Sequence, residues 1–311
     1  PLHFMVLKVK YNFNLVAVCT FSIFAFNYTY AQNVTVTGAN TGNGTYITLS
    51  AAFIAINGDL QSGADIVISL SGNTTEPVTG AELNSGLWES ILILPTGGQP
   101  ITVSASVNPG SALINFNGAD YVTIDGLNSG GNSLTFSNTT VSSVWGTSTI
   151  RFENKTNNNV VTRCTVLGSS TSISAGANIY FGTTTSPGPG NNFNSISYCN
   201  IGPAGTNLPA SGITSFGTIG YNNTGDTIRN CNIYDYFSSA DSSAGIFLPL
   251  YNSGFVIKDN KFYQTSLRTQ TIGAPHAAVS IFNSYGSNFT ISGNKIGYST
   301  SSGTGLYSFT G

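Results

Sequence analysis

His276 is the one histidine beyond the first thirty residues, and it stands in Gly273-Ala274-Pro275-His276 with no partner evident in the sequence. The acidic side chains number 12 in 311 residues and are thinly spread. Glycoside hydrolysis needs two carboxylates roughly 5–10 Å apart. Asp120 and Asp125 bracket one short segment, but each lies beside a glycine (Gly118, Gly126) and reads as turn chemistry. Asp226, Asp235 and Asp241 sit in loops of one coil and read as solvated or turn residues. No Asn-Thr-Asp, Asp-Asp or Gly-His-Gly run is present. The expectation is therefore no catalytic residue and no cofactor, with the balance against an enzyme.

Elimination chemistry would need a Lys or Arg base beside carboxylates holding Ca²⁺. Arg229 and Lys258 recur at one motif position, and Lys261 and Lys295 at another, without an acidic cluster. Together with Tyr180 and Phe247, whose rings could stack on sugars, these four are the candidate glycan contacts. The net charge of −2 comes with no basic block, which argues against nucleic acid as a partner. Cys164, Cys199 and Cys231 are an odd set, too few for a disulfide framework. No His accompanies them, which argues against a metal site.

The cysteines make sense as members of a repeat. Val161-Thr162-Arg163-Cys164-Thr165-Val166 returns as Ile196-Ser197-Tyr198-Cys199-Asn200-Ile201 and Ile228-Arg229-Asn230-Cys231-Asn232-Ile233. Ile257-Lys258-Asp259-Asn260-Lys261-Phe262 and Ile291-Ser292-Gly293-Asn294-Lys295-Ile296 complete the series. First positions are spaced by 35, 32, 29 and 34 residues. A second pattern, beginning at Ile150, Ile179, Ile213, Ile246 and Val279, keeps the same beat. Short alternating strands at this period imply a β-solenoid, each strand pairing with its copy one coil away. Cys164, Cys199, Cys231, Asn260 and Asn294 then form a structural ladder at a corner, bonding the corner backbone. A disulfide between neighbours is left open, subject to geometry.

Residues 33–110 do not follow this beat. Leu49, Ala52, Phe53 and Ile56 fall at helical spacing between Thr48, a cap, and Asn57-Gly58, a stop. This helix is expected to cap the open solenoid end. Strands are expected at Ile66-Val67-Ile68, Ile91-Leu92-Ile93 and Leu113-Ile114-Asn115-Phe116. Met5, Lys8, Lys10, the apolar run Leu15 to Phe26 and Thr29-Tyr30-Ala31 follow the order of a secretory signal, cut after Ala31. The run is shorter than the ~20 residues of a membrane span. The organisation expected is a signal peptide at 1–31, a cap and first coils at 32–110, and repeats at 111–311. The last repeat breaks off at Gly311, so the natural chain is expected to continue.

Gly118-Ala119-Asp120-Tyr121-Val122-Thr123-Ile124-Asp125-Gly126-Leu127 and the Ile-x-x-Asn/Cys-x-Ile series resemble right-handed parallel β-helix proteins. Thr48 to Gly58 and Asn200-Ile201-Gly202-Pro203-Ala204-Gly205 are similar to large secreted surface proteins of the Bacteroidetes group. That group carries a C-terminal domain for type IX secretion, which this sequence lacks, and commonly has Asn where this chain has Cys. The reading is an all-β, right-handed parallel β-helix, pectin lyase-like in fold, with a short N-terminal capping helix. It is expected to be secreted or displayed on the outer cell surface as a non-catalytic structural or adhesive module. Polysaccharide or other surface components are the expected partners, with no membrane span after signal removal. The alternative is a polysaccharide-binding or polysaccharide-degrading protein.

Overall fold

A computed structural model describes residues 31–183 and 189–310. The expected signal segment, residues 1–31, lies outside the described residues but for Ala31. From Gln32 onward the chain is a parallel β-solenoid of about seven turns with one short helix. Three sheets run along it, and each of the first seven coils contributes a strand to each. The fourth described coil, for example, uses Val160–Thr162, Cys164–Gly168 and Ala177–Phe181 for the first, second and third sheets.

The repeats place one apolar column inside each sheet. In the first sheet Ile68, Ile93, Ile124, Val161, Ile196, Ile228, Ile257 and Ile291 are in register. In the second, Val103, Phe136, Val166, Ile201, Ile233, Phe262 and Ile296 align. In the third, Ile114, Ile150, Ile179, Ile213, Ile246 and Val279 align. Residues two apart on a strand share a face, so both repeat patterns deliver their apolar positions inward. Beside the third column Phe116, Phe152 and Phe181 stack with centroids 5.4 and 4.9 Å apart.

Both corners flanking the first sheet use the left-handed backbone region. Before its strands stand Tyr121, Asn158, Phe193, Gly225, Gly254 and Asn288, and after them Arg163, Tyr198, Asn230, Asp259 and Gly293, with φ between 55° and 74°. A reversal this tight needs positive φ. The chain accepts it even at aromatic residues, at a cost of about 1–2 kcal/mol each. The residue that follows each of these turns inward, and there the polar columns arise.

The coil stack begins earlier than the repeat pattern suggests. Asp65–Leu70 pairs in parallel with Ser90–Pro95, a first coil of only 25 residues. Helix α1 (Leu49–Asn57) lies where the sequence places it, with the Thr48 hydroxyl accepting from Ala51 N at 3.1 Å. The helix stops at Asn57-Gly58 as expected, with Gly58 right-handed (φ −69°). Asn57 pairs like a strand residue, its Nδ2 donating to Glu82 O (2.9 Å) and its Oδ1 accepting from Asn84 N (3.0 Å). Those groups belong to Ala81–Asn84, the first strand of the third sheet. The first sheet is closed by an antiparallel ribbon, Val34–Thr37 with Gly44–Tyr46. Among the described residues no helix is long and apolar enough to cross a membrane.

Candidate functional site

The corner ladder follows an ordered gradient along the stack. One column reads Ile101, Leu134, Cys164, Cys199, Cys231, Asn260, Asn294. Asn260 Nδ2 donates to Ile228 O at 2.9 Å and Asn294 Nδ2 to Ile257 O at 2.8 Å. The thiols of Cys199 and Cys231 point to the equivalent carbonyls, Val161 O at 3.5 Å and Ile196 O at 3.7 Å. Asn260 Oδ1 accepts from Cys231 N (2.9 Å) and Asn294 Oδ1 from Asn260 N (2.9 Å). The three thiols are free and buried. Burial pushes Cys164 and Cys231 well above the ordinary thiol range, which makes them poor nucleophiles.

Two further polar columns escaped the sequence reading. Asn159 and Asn194 are rungs of one, with Asn194 Oδ1 accepting from Asn159 N at 3.1 Å and Asp226 Oδ1 from Asn194 N at 2.8 Å. Thr156, Asn191 and Asn223 begin the other, where Asn191 Oδ1 accepts from Thr156 N (3.1 Å) and Asn223 Oδ1 from Asn191 N (2.9 Å). The signal was present: Asn159, Asn194 and Asp226 repeat the 35- and 32-residue steps of the cysteines.

Asp241 is exposed as expected, but the other two aspartates are not solvated. Asp226 is fully buried and Asp235 is 7% exposed. Asp226 is a ladder member whose Oδ2 meets no hydrogen-bond partner, and burial raises its pKa well above the ordinary carboxylate value. Asp235 pairs with Arg268 and accepts from Thr265 N at 2.7 Å. His276 is likewise no isolated loop residue. It lies on His276–Ile281, its Nδ1 is 2.8 Å from the Ser243 hydroxyl, and its ring stacks on Tyr236 at 5.2 Å. Burial lowers its pKa to about 4.

The candidate glycan contacts do not converge. Tyr180 is 1% exposed because the loop before Ser148–Glu153 lays Trp145 edge-on over it, centroids 6.1 Å apart. It cannot stack on a surface sugar, and half-exposed Trp145 takes the outer position instead. Phe247 lies on the outer side of the same sheet, two coils on. Arg229 and Lys258 align on the first sheet, whereas Lys261 and Lys295 align on the second. Lys261 Nζ is bonded to Ser301 O at 2.6 Å, and Lys258 lies 3.8 Å from Asp259.

The densest polar constellation is on the outer face of the third sheet, in coils one to three. Glu82, Asn115 and Arg151 form one outward row, and Asn84, Asn117 and Glu153 the next. Asn115 Nδ2 donates at 2.8 Å to Glu82 Oε2 and at 2.8 Å to Glu153 Oε1, so these oxygens are at most about 5.6 Å apart. That upper bound lies near the roughly 5–5.5 Å separation of paired retaining-glycosidase carboxylates. The space between them is filled, however. The Asn115 amide is bonded to both carboxylates, and Arg151 closes the set through Asn115 Oδ1 (3.0 Å) and Glu153 Oε1 (3.1 Å). The cluster holds a surface together and leaves no room for a substrate bond.

Where this face turns toward the first sheet, a groove of about 550 Å³ opens. It is lined by Asn84, Ser85, Asn117, Gly118, Asp120, Asn154, Lys155, Asn157 and Pro189. Asn117 Nδ2 donates to Asn84 Oδ1 (2.9 Å) and Asn154 Nδ2 to Asn117 Oδ1 (2.7 Å). Asp120 accepts from Asn157 N at 2.6 Å, its backbone carbonyl accepts from Trp88 Nε1 at 2.7 Å, and partial burial raises its pKa.

No family model matches the chain, and no curated protein matches it. Among solved structures it is similar to a protein described as Geobacillus virus E2 ORF18, at 14% identity and a TM-score of 0.29. The alignment covers 80% of this chain and 56% of that one, so the chain spans little more than half of its length. The likeness to Bacteroidetes surface proteins rests on the sequence motifs alone.

Proposed function

We propose that this chain is a non-catalytic structural and adhesive β-helix module, exported and displayed outside the cell, of the kind found in Bacteroidetes surface proteins. The observation that carries the non-catalytic part is the Asn115 amide lodged between Glu82 and Glu153, the carboxylate pair with enzyme-like spacing. Burial pushes the Cys164 and Cys231 thiols up and makes His276 a weak base with a pKa of about 4, which supports the same reading. Export is supported by the basic, apolar and small-residue order of the first 31 residues. The low content of charged residues, 7%, suits a surface of neutral hydrogen-bonding side chains. The test incubates the purified chain with uncharged and acidic polysaccharides and follows reducing ends and unsaturated products. No release above buffer is expected, and turnover abolished by Glu82→Gln or Glu153→Gln would overturn the reading.

A further inference from the structure

We infer that the groove at the corner between the third and first sheets binds an uncharged polysaccharide chain running along the stacked coils. This rests on the adhesive reading and names its ligand.

The amide ladder in this groove differs from those inside the solenoid. Asn159, Asn194 and Asn260 are at most 1% exposed, and their amides are taken up by neighbouring backbone and rungs. Asn84 and Asn117 are only partly buried and line open space. Each carboxamide offers two N–H donors and two lone pairs. Asn117 uses one N–H on Asn84 and one lone pair for Asn154, and the Asn84 amide nitrogen donates to no group among the described residues. Unused donors and acceptors therefore remain on Asn84 and Asn117, one coil apart at about the 4.8 Å strand spacing. Sugar hydroxyls both donate and accept, so a polymer with regularly repeated hydroxyls satisfies such a row.

Charge selects the class. Among the described residues Lys155 and Asp120 are the only ionisable ones lining the groove, and they are opposite in sign. The aligned basic pairs lie elsewhere, on the outer faces of the first and second sheets. A polyanion thus gains nothing here from a positive field.

The walls are also fixed in advance. Gly118, Asn154 and Lys155 hold positive φ (74°, 59° and 71°), and the Trp88 indole pins the Asp120 backbone. Preset walls reduce the ordering cost of binding. Tyr121, next in the chain to Asp120, is 54% exposed and offers an aromatic face.

Affinity electrophoresis of the full chain tests this in native gels cast with hydroxyethylcellulose, xyloglucan, galactomannan, dextran, polygalacturonate or alginate. At least one uncharged polymer should retard the protein. Asn117→Ala should weaken that retardation at least tenfold, and so should Ser85→Trp, which fills the groove and leaves the ladder intact. Lys258→Ala and Lys295→Ala should leave it unchanged. Circular dichroism checks the fold, and Ser85→Trp decides the matter if Asn117→Ala is unstable. Overturning results are no retardation by any uncharged polymer, retardation indifferent to Ser85→Trp, or binding of acidic polymers alone that is lost with the lysines. Reducing-end release in the same samples separates the two readings. Groove-dependent retention with turnover keeps the site and overturns the non-catalytic proposal, whereas absence of both overturns the site alone.

Discussion

Along one interior column the side chains read Ile91, Val122, Asn159, Asn194, Asp226, Phe255, Phe289. Asp226 is where the amide ladder meets the aromatic end, and it carries an oxygen where its neighbours carry an N–H donor. No charged group contributes to its raised pKa; burial is the leading cause. In acid, below the ordinary carboxylate value near 4, Asp226 is neutral both folded and unfolded. As pH rises past that value the unfolded chain ionises while the folded chain keeps its proton, so stability falls toward the raised folded pKa. Asp226→Asn should remove this dependence by placing a donor that does not titrate, gaining about 1–3 kcal/mol at neutral pH. Melting curves at pH 4 and pH 7 check it, and an equal difference at both values would contradict it. The thiol gradient gives a companion expectation. Asn260→Cys should cost less than Asn260→Leu, because a thiol still reaches the carbonyl one coil below, whereas leucine strands it; the leucine variant should lose about 1–3 kcal/mol. Equal melting temperatures for the two variants would argue against the shared role of Cys and Asn.

Helix α1 shows where local pattern suffices and where it does not. Its apolar spacing and Thr48 cap were legible in the sequence, and both are present. The charge at its N-terminus was not legible. Glu76, 5% exposed, receives Leu49 N on Oε1 (2.9 Å) and Ser50 N on Oε2 (2.8 Å) from 26–27 residues away. A carboxylate there satisfies two orphan amides and complements the helix dipole. Glu76→Ala should destabilise the cap by about 1–3 kcal/mol. Hydrogen exchange of α1 and the first coil should rise before that of later coils, and uniform loss of protection would contradict a local role. The repeat motifs revealed the columns because inward positions recur at fixed offsets. The groove was not legible, because its lining comes from three coils and from turn residues whose spacing varies. Tyr180 misled for a related reason: strand alternation pointed it outward, and a loop from the preceding coil then covered it.

At the scale of the molecule, each coil touches mainly the coils on either side. The segment Val161–Val166 recurs with its length unchanged at Ile196–Ile201, Ile228–Ile233, Ile257–Phe262 and Ile291–Ile296. From the fourth coil onward, variation in coil length falls in the other two turns, whereas in coils two and three this corner is longer, Pro95 to Pro100 and Asp125 to Ser133. The first corner is clamped by a left-handed residue and a ladder rung, so one added residue there would put the inward columns on the wrong face. Inserted segments are therefore expected to be tolerated between the second and third sheets, and an insertion after Gly168 should leave the melting temperature nearly unchanged while one after Thr162 should not. The ladders have a mechanical consequence as well. Their bonds and those between strands run along the stack, so a pull on its two ends loads one inter-coil seam at a time. An anchored chain of this kind would yield coil by coil, each release adding roughly 100 Å of slack for about thirty residues. It would act as a shock absorber that gives way in steps and rewinds when the load is removed.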